Sequence, residues 1–192
     1  MSEHPNRPWP RVISKILSFL LLQLGWVACV GGAARGWFWI GPLMVAGLLA
    51  AYFAFPTFFG ANPDQRRRDL ELVLALGLVG TAVDSIQSCL GLLRFVGAWH
   101  PCLCPLWITA LWFHFGTAVR TSFAGLAGRY WLATLVGAVG GPVAYGAGAR
   151  LGAAQLHPQW PWLSLMVIAG VWGVMLPGAL RFAGRAPHPS NR

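Results

Sequence analysis

An all-α integral membrane bundle of six transmembrane helices is the fold class this sequence predicts, on three observations. The chain has 192 residues, 56% of them hydrophobic and only 10% charged, against about 25% charged in soluble domains. Its apolar residues gather in runs of about 20, which at 1.5 Å per residue cover the roughly 30 Å hydrocarbon slab. Its eleven tryptophans are the amphipathic rings that bilayer interfaces favour. Backbone groups in lipid must bond within their own segment, so the runs are read as helices.

The expected spans are 12–30, 37–59, 70–92, 105–126, 130–149 and 161–182. The first has the basic start and apolar run of a signal peptide. It is longer than a signal core, however, Gly31–Arg35 is a poor cleavage site, and Trp26 spoils a lipobox at Val27-Ala28-Cys29. Between the second and third spans, Asn62-Pro63-Asp64 marks a turn in the loop Gly60–Asp69. Gly97–Cys104 and His157–Pro161 are outer loops, the latter bracketed by Trp160 and Trp162 as interface anchors. In the fifth span Ala133, Gly137 and Gly141 form one row of small residues, with Gly140, Ala144, Gly148 and Gly152 beside it. Such rows let helix backbones approach closely. Pro142 removes a helical hydrogen bond there, giving either a kinked packing helix or a broken helix lining a cavity. Pro177-Gly178 is a similar break in the sixth span.

This gives one transmembrane domain, 12–182, between cytoplasmic tails at 1–11 and 183–192. Lysine and arginine set the orientation. With the N-terminus inside, ten fall on the cytoplasmic side and only Arg35, Arg94 and Arg150 outside, a positive-inside bias that places both termini in the cytoplasm. The net charge of +9 flanks apolar spans, so membrane lipid, and not nucleic acid, is the expected partner.

Asp84 is the residue most in need of a reason, because a carboxylate at the centre of a membrane helix costs roughly 2.5–3.5 kcal/mol on insertion scales. Gln87 and Ser88 share its helix face at i+3 and i+4. At 1.5 Å per residue Asp84 lies about 12 Å below the outer edge, His114 about 13 Å and Tyr145 about 6–8 Å. Asp84 and His114, supported by Tyr145, Gln87 and Ser88, are therefore the candidate centre. An Asp–His pair holds the imidazole in one tautomer and raises its basicity. It would act as a general base, a proton relay or a structural clasp. Arg120 lies about 9 Å deeper than Asp84, too far for a direct pair. It is expected to snorkel to headgroups or pair with Glu71.

Cys29, Cys89, Cys102 and Cys104 all fall on the outer, oxidising side. Disulfides, free thiols and a metal site built on His100, Cys102 and Cys104 stay open as readings, although the His-x-Cys-x-Cys spacing is tighter than common zinc pairs. No phosphate-binding loop, Gly-x-Ser-x-Gly or His-Glu-x-x-His occurs, so no cofactor is implied.

Gly80, Asp84 and Gly91, then Pro105-Leu106-Trp107, Leu111-Trp112 and Phe115, then Gly141-Pro142, Tyr145 and Gly152 resemble the domain-of-unknown-function family 2878. The chain departs from the family's pattern at Arg120-Thr121, where Asn-His is common, which weakens any role built on that turn. The resemblance implies a small polytopic bacterial inner-membrane protein without an assigned activity, often encoded beside lipid-modifying enzymes. Together with the polar centre it favours an accessory or enzyme in membrane-lipid modification. A small proton-coupled carrier and a structural or assembly subunit with a membrane-protein partner are the other two readings.

Overall fold

The structure, a computed structural model, describes residues 11–59 and 61–184. The two expected tails lie outside these residues except for Arg11, Ala183 and Gly184. Among the described residues six α-helices follow one another: α1 (Arg11–Ala34), α2 (Ile40–Ala54), α3 (Arg66–Cys89), α4 (Leu106–Val119), α5 (Tyr130–Leu151) and α6 (Pro161–Ala183). Four stretches, Lys15–Ala34, Pro63–Cys89, Tyr130–Leu151 and Pro161–Ala183, are long and apolar enough to cross a membrane. The chain is a membrane protein on that evidence. Its outward surface agrees: Leu43, Leu78, Val143, Met166 and Val174 are among the large apolar side chains left exposed, as lipid-facing positions are in a bilayer.

The second and fourth helices are shorter than expected. Phe55-Pro56 closes α2 after 15 residues, because proline lacks the N–H that the next turn needs and excludes helical geometry from the residue before it. α4 ends after 14 residues at Arg120, and the chain continues as turns and a short 3-10 segment, Ala124–Leu126. At 1.5 Å per residue these helices reach about 21–22 Å. α5 runs unbroken through Pro142, so the packing-helix reading stands there and the broken-helix one does not, and α6 runs unbroken through Pro177, where a break was expected. The two helices pack along each other, and at Gly137 an added Cβ would overlap the carbonyl of Trp172. That close seating supports the backbone where proline removes a hydrogen bond. α3 and α4 pair in the same way, with Gly80 leaving room only for the indole of Trp112.

A two-stranded antiparallel ribbon was not foreseen. β1 (Leu93–Phe95) pairs with β2 (Ala154–Leu156), Leu93 opposite Leu156 and Phe95 opposite Ala154. It joins the α3–α4 and α5–α6 connections at one end of the bundle. Ser164 Oγ donates to Leu92 O at 2.6 Å and accepts from His157 N at 3.0 Å. Trp107 Nε1 donates to Val96 O at 2.9 Å. A Cys89–Cys102 disulfide closes the same end.

The opposite end is tied by polar groups. Ser18 Oγ donates to Phe59 O at 2.7 Å. Tyr52 donates to Asp69 Oδ2 at 3.0 Å, Arg120 Nε lies 3.1 Å from Asp69 Oδ1, and Arg120 Nη1 donates to Gln65 Oε1 at 2.9 Å. Arg120 thus neither snorkels freely nor pairs with Glu71, which is held instead by Arg67 at 3.1 Å. Asp69 wins because it lies at the start of α3, level with the end of α4, and is buried, whereas Glu71 points outward.

Candidate polar centre in an apolar cavity

Asp84 is fully buried and its carboxylate accepts from three neutral donors. Tyr145 donates its hydroxyl to Oδ2 at 2.6 Å, Trp112 Nε1 donates to the same oxygen at 2.7 Å, and Gln87 Nε2 donates to Oδ1 at 3.1 Å. Each donor follows from helix geometry. Gln87 stands three residues on along α3, so it shares the face of Asp84. Trp112 comes from the neighbouring α4, lying over Gly80, one turn before Asp84. Tyr145 reaches across from α5. Trp112 stacks on Trp172 of α6, centroids 4.8 Å apart, and Phe115 meets Trp172 edge-on at 5.0 Å. Four helices therefore meet at this carboxylate and its first ring.

The centre forms part of the wall of a cavity of about 550 Å³. Its long side is α5, where Gly140, Ala144 and Gly148 leave the space open. α1 closes the other side with Phe19 and Trp26. Apart from Asp84, Tyr145 and Gln23, the described residues of the wall are apolar side chains, glycine and tryptophan, with no lysine, arginine or histidine among them. The small-residue rows of α5 thus do two jobs: Gly137 and Gly141 seat Trp172, while Gly140, Ala144 and Gly148 shape a void.

The expected Asp84–His114 pair does not form. His114 Nε2 lies 3.1 Å from Leu21 O of α1, and its ring fills the space over Gly25, where an added Cβ would come within 2.5 Å of Cδ2. Its Nδ1 is buried without a hydrogen-bond partner. Equal depth brought the two residues level, but they face different neighbours. At about 100° per residue, Trp112 and His114 point some 200° apart around α4, so the helix that turns Trp112 to Asp84 turns His114 to α1. Ser88 Oγ is also buried without a partner, and neither Ser88 nor Gln87 reaches the cavity wall. Tyr145 is brought to Asp84 as its depth allowed.

Trp112 is the residue of this centre that depth and charge overlooked. The same rise places it about 10 Å deep, level with Asp84, but a buried indole reads first as packing. The signal available was its pairing with a carboxylate that had no cationic neighbour, since an indole N–H in a core needs an acceptor.

The metal reading of the outer loop fails because the sulfur of Cys102 is bonded to Cys89, and His100 Nδ1 accepts from Cys102 N at 3.1 Å. No group of three potential ligands lies together among the described residues. Cys29 and Cys104 are free thiols. Burial pushes the Cys104 thiol above its usual range, with the hydroxyls of Ser85 and Thr109 partly opposing the shift.

With the geometry in place, comparison by sequence becomes informative. The profile of the family described as "Protein of unknown function (DUF2878)" matches residues 15–178. The chain belongs to DUF2878. The matched stretch holds all six helices but for the first residues of α1 and the last of α6, and with them Asp84, Trp112, Tyr145 and the cavity. No curated protein and no solved structure matches the chain.

Proposed function

We propose that the chain is a multi-pass protein of the bacterial inner membrane, with six crossings and both termini cytoplasmic. In this reading it holds the chain of a membrane lipid in the cavity beside α5, as an accessory or enzyme of lipid modification. One observation carries the reading: a void of about 550 Å³ with an almost wholly apolar wall has a single carboxylate centre. That volume lies within the roughly 300–1,000 Å³ of small-molecule pockets, and an apolar void among lipid-facing helices fills most readily with an acyl chain. Asp84 with Tyr145 is the group placed to hold or exchange a proton next to a bound chain. His114 is a positioning residue that fastens α1 to α4 and so sets the cavity's width.

The test is lipid analysis of cells with and without the chain, and of lipid retained by the purified protein. Ala144→Trp, which fills the void, should abolish lipid retention. Retention equal to wild type would overturn the reading. A second reading, a proton-coupled carrier, is favoured because no cation among the described residues pairs with Asp84. It predicts pH-dependent flux in liposomes that Asp84→Asn abolishes. A purely structural subunit predicts that the two variants leave lipids and flux unchanged.

A further inference from the structure

Among the described residues, no positive side chain compensates Asp84. The ion pairs there are Arg67–Glu71 on the surface and Arg120–Asp69 at the opposite end of the helices from the ribbon. The donors to Asp84 are a phenol, an indole and an amide. They satisfy its lone pairs without cancelling its charge. A buried charge persists when a countercharge reaches it, and here the side open to a newcomer is the cavity. Its wall offers no cationic group to a phosphate, sulfate or carboxylate. It is lined instead by aromatic rings, among them Trp107, Trp112, Tyr145 and Trp172, and such rings attract cations through their negative quadrupole. Trp172 and Tyr145 line the void, half-buried. Tyr145 gives its hydroxyl hydrogen bond to the carboxylate, which pushes electron density back into its ring.

We infer that the cavity takes an amphiphile with a cationic nitrogen head, of the alkylammonium class, its tail along α5 and its head against Tyr145 and Trp172 in front of Asp84. The assignment rests on the lipid-holding reading above and adds the chemistry of the head. Asp84 is fully buried but forms part of the wall, so the ammonium lies before it with Tyr145 and Trp172 at its sides. It is held by ring faces and by the field of the charge behind them.

The experiment uses the full chain in maltoside micelles and three photoreactive probes sharing one diazirine-bearing dodecyl tail: the ammonium, the alcohol and the sulfate. Adducts on α1 and α5 peptides are counted by mass spectrometry. The ammonium should label wild type well above the alcohol, and the ratio of ammonium to alcohol labelling should fall by about tenfold in Asp84→Asn. Trp172→Leu, which keeps an apolar wall and removes a ring, should lower the same ratio, and serves where Asp84→Asn does not fold. Equal labelling by ammonium and alcohol in wild type, or an unchanged ratio in the folded variants, overturns the assignment. Ala144→Trp separates this failure from failure of the lipid reading. Loss of all cavity labelling there, without charge preference in wild type, removes only the head. Undiminished labelling by every probe in Ala144→Trp removes both. Competition by phosphatidylethanolamine would place the natural ligand among bilayer lipids, and competition by free dodecylammonium alone would place it among lipophilic amines. Failure of both to compete overturns the proposal.

Discussion

Three donors converge on the carboxylate of Asp84, and what replaces it decides how much they lose. In Asp84→Asn the side-chain oxygen can still accept from Trp112 and Tyr145, while its new N–H₂ faces Gln87. Gln87 has a buried Oε1 without a partner, so a turn of its amide supplies an acceptor. We expect this variant to fold with a small loss of melting temperature. Asp84→Leu strands all three donors, at about 1–3 kcal/mol for each buried unsatisfied group, and should melt much lower or fail to accumulate. Equal melting temperatures for the two variants would contradict the geometry. Arg120 poses the opposite problem. Arg120→Met leaves Asp69 buried and unpaired, a situation that typically costs about 3–5 kcal/mol. Adding Asp69→Asn should recover a large part of that loss in thermal melts, whereas independent sites would give additive losses. At this scale depth was legible in the residue spacing and direction was not. Asp84 and Tyr145 could be levelled by counting rise, but the face of His114 depended on which side of α4 meets α3, and that is settled by Gly80 and Trp112 fitting together.

Helices in this chain are positioned by where side chains are missing. Gly80 accommodates the indole that bonds Asp84, so Gly80→Val should separate α3 from α4 and break the Trp112 contact together. Overpacking of this kind costs about 1–3 kcal/mol. The expected signature is a lower melting temperature with a red shift of tryptophan emission, and Gly47→Ala, where an added Cβ meets nothing within 4 Å, is the control. Long apolar runs made α1, α3, α5 and α6 easy to read. The ends of α2 and α4 were not, because hydropathy continues past Phe55-Pro56 and past Arg120 while the helix does not. Pro177 misled in the other direction, and at Pro142 the packing helix, not the broken one, is what formed. A proline signals a break only where neighbouring helices do not hold the backbone, and the seating of Gly137 on Trp172 does hold it.

For the whole molecule, the disulfide and the ribbon make one end covalently and hydrogen-bond closed. Alkylation under denaturing conditions should find two thiols, Cys29 and Cys104, before reduction and four after it. Four before reduction would refute the Cys89–Cys102 bond. In the native state Cys104 should react slowly at neutral pH and faster as pH rises beyond the ordinary thiol range. Its raised pKa keeps it protonated there, and only the thiolate attacks. Disulfides persist on the oxidising side of a membrane, and the same end is the one that few basic residues flank. Composition predicted that chemistry as one of three options. It had no means of predicting a ribbon whose strands lie so far apart in the chain, since three-residue strands leave almost no periodic trace.

That ribbon also imposes a rule of parity. Segments that exchange backbone hydrogen bonds must lie on the same face of a bilayer, so the chain between Phe95 and Ala154 makes an even number of traversals. The helices in that interval are α4 and α5. If α5 goes through, α4 goes through with it, and its 14 residues leave about 9 Å of a 30 Å slab uncovered. The lipid around that helix would then have to thin, or the turns after Arg120 would have to dip inward to meet it.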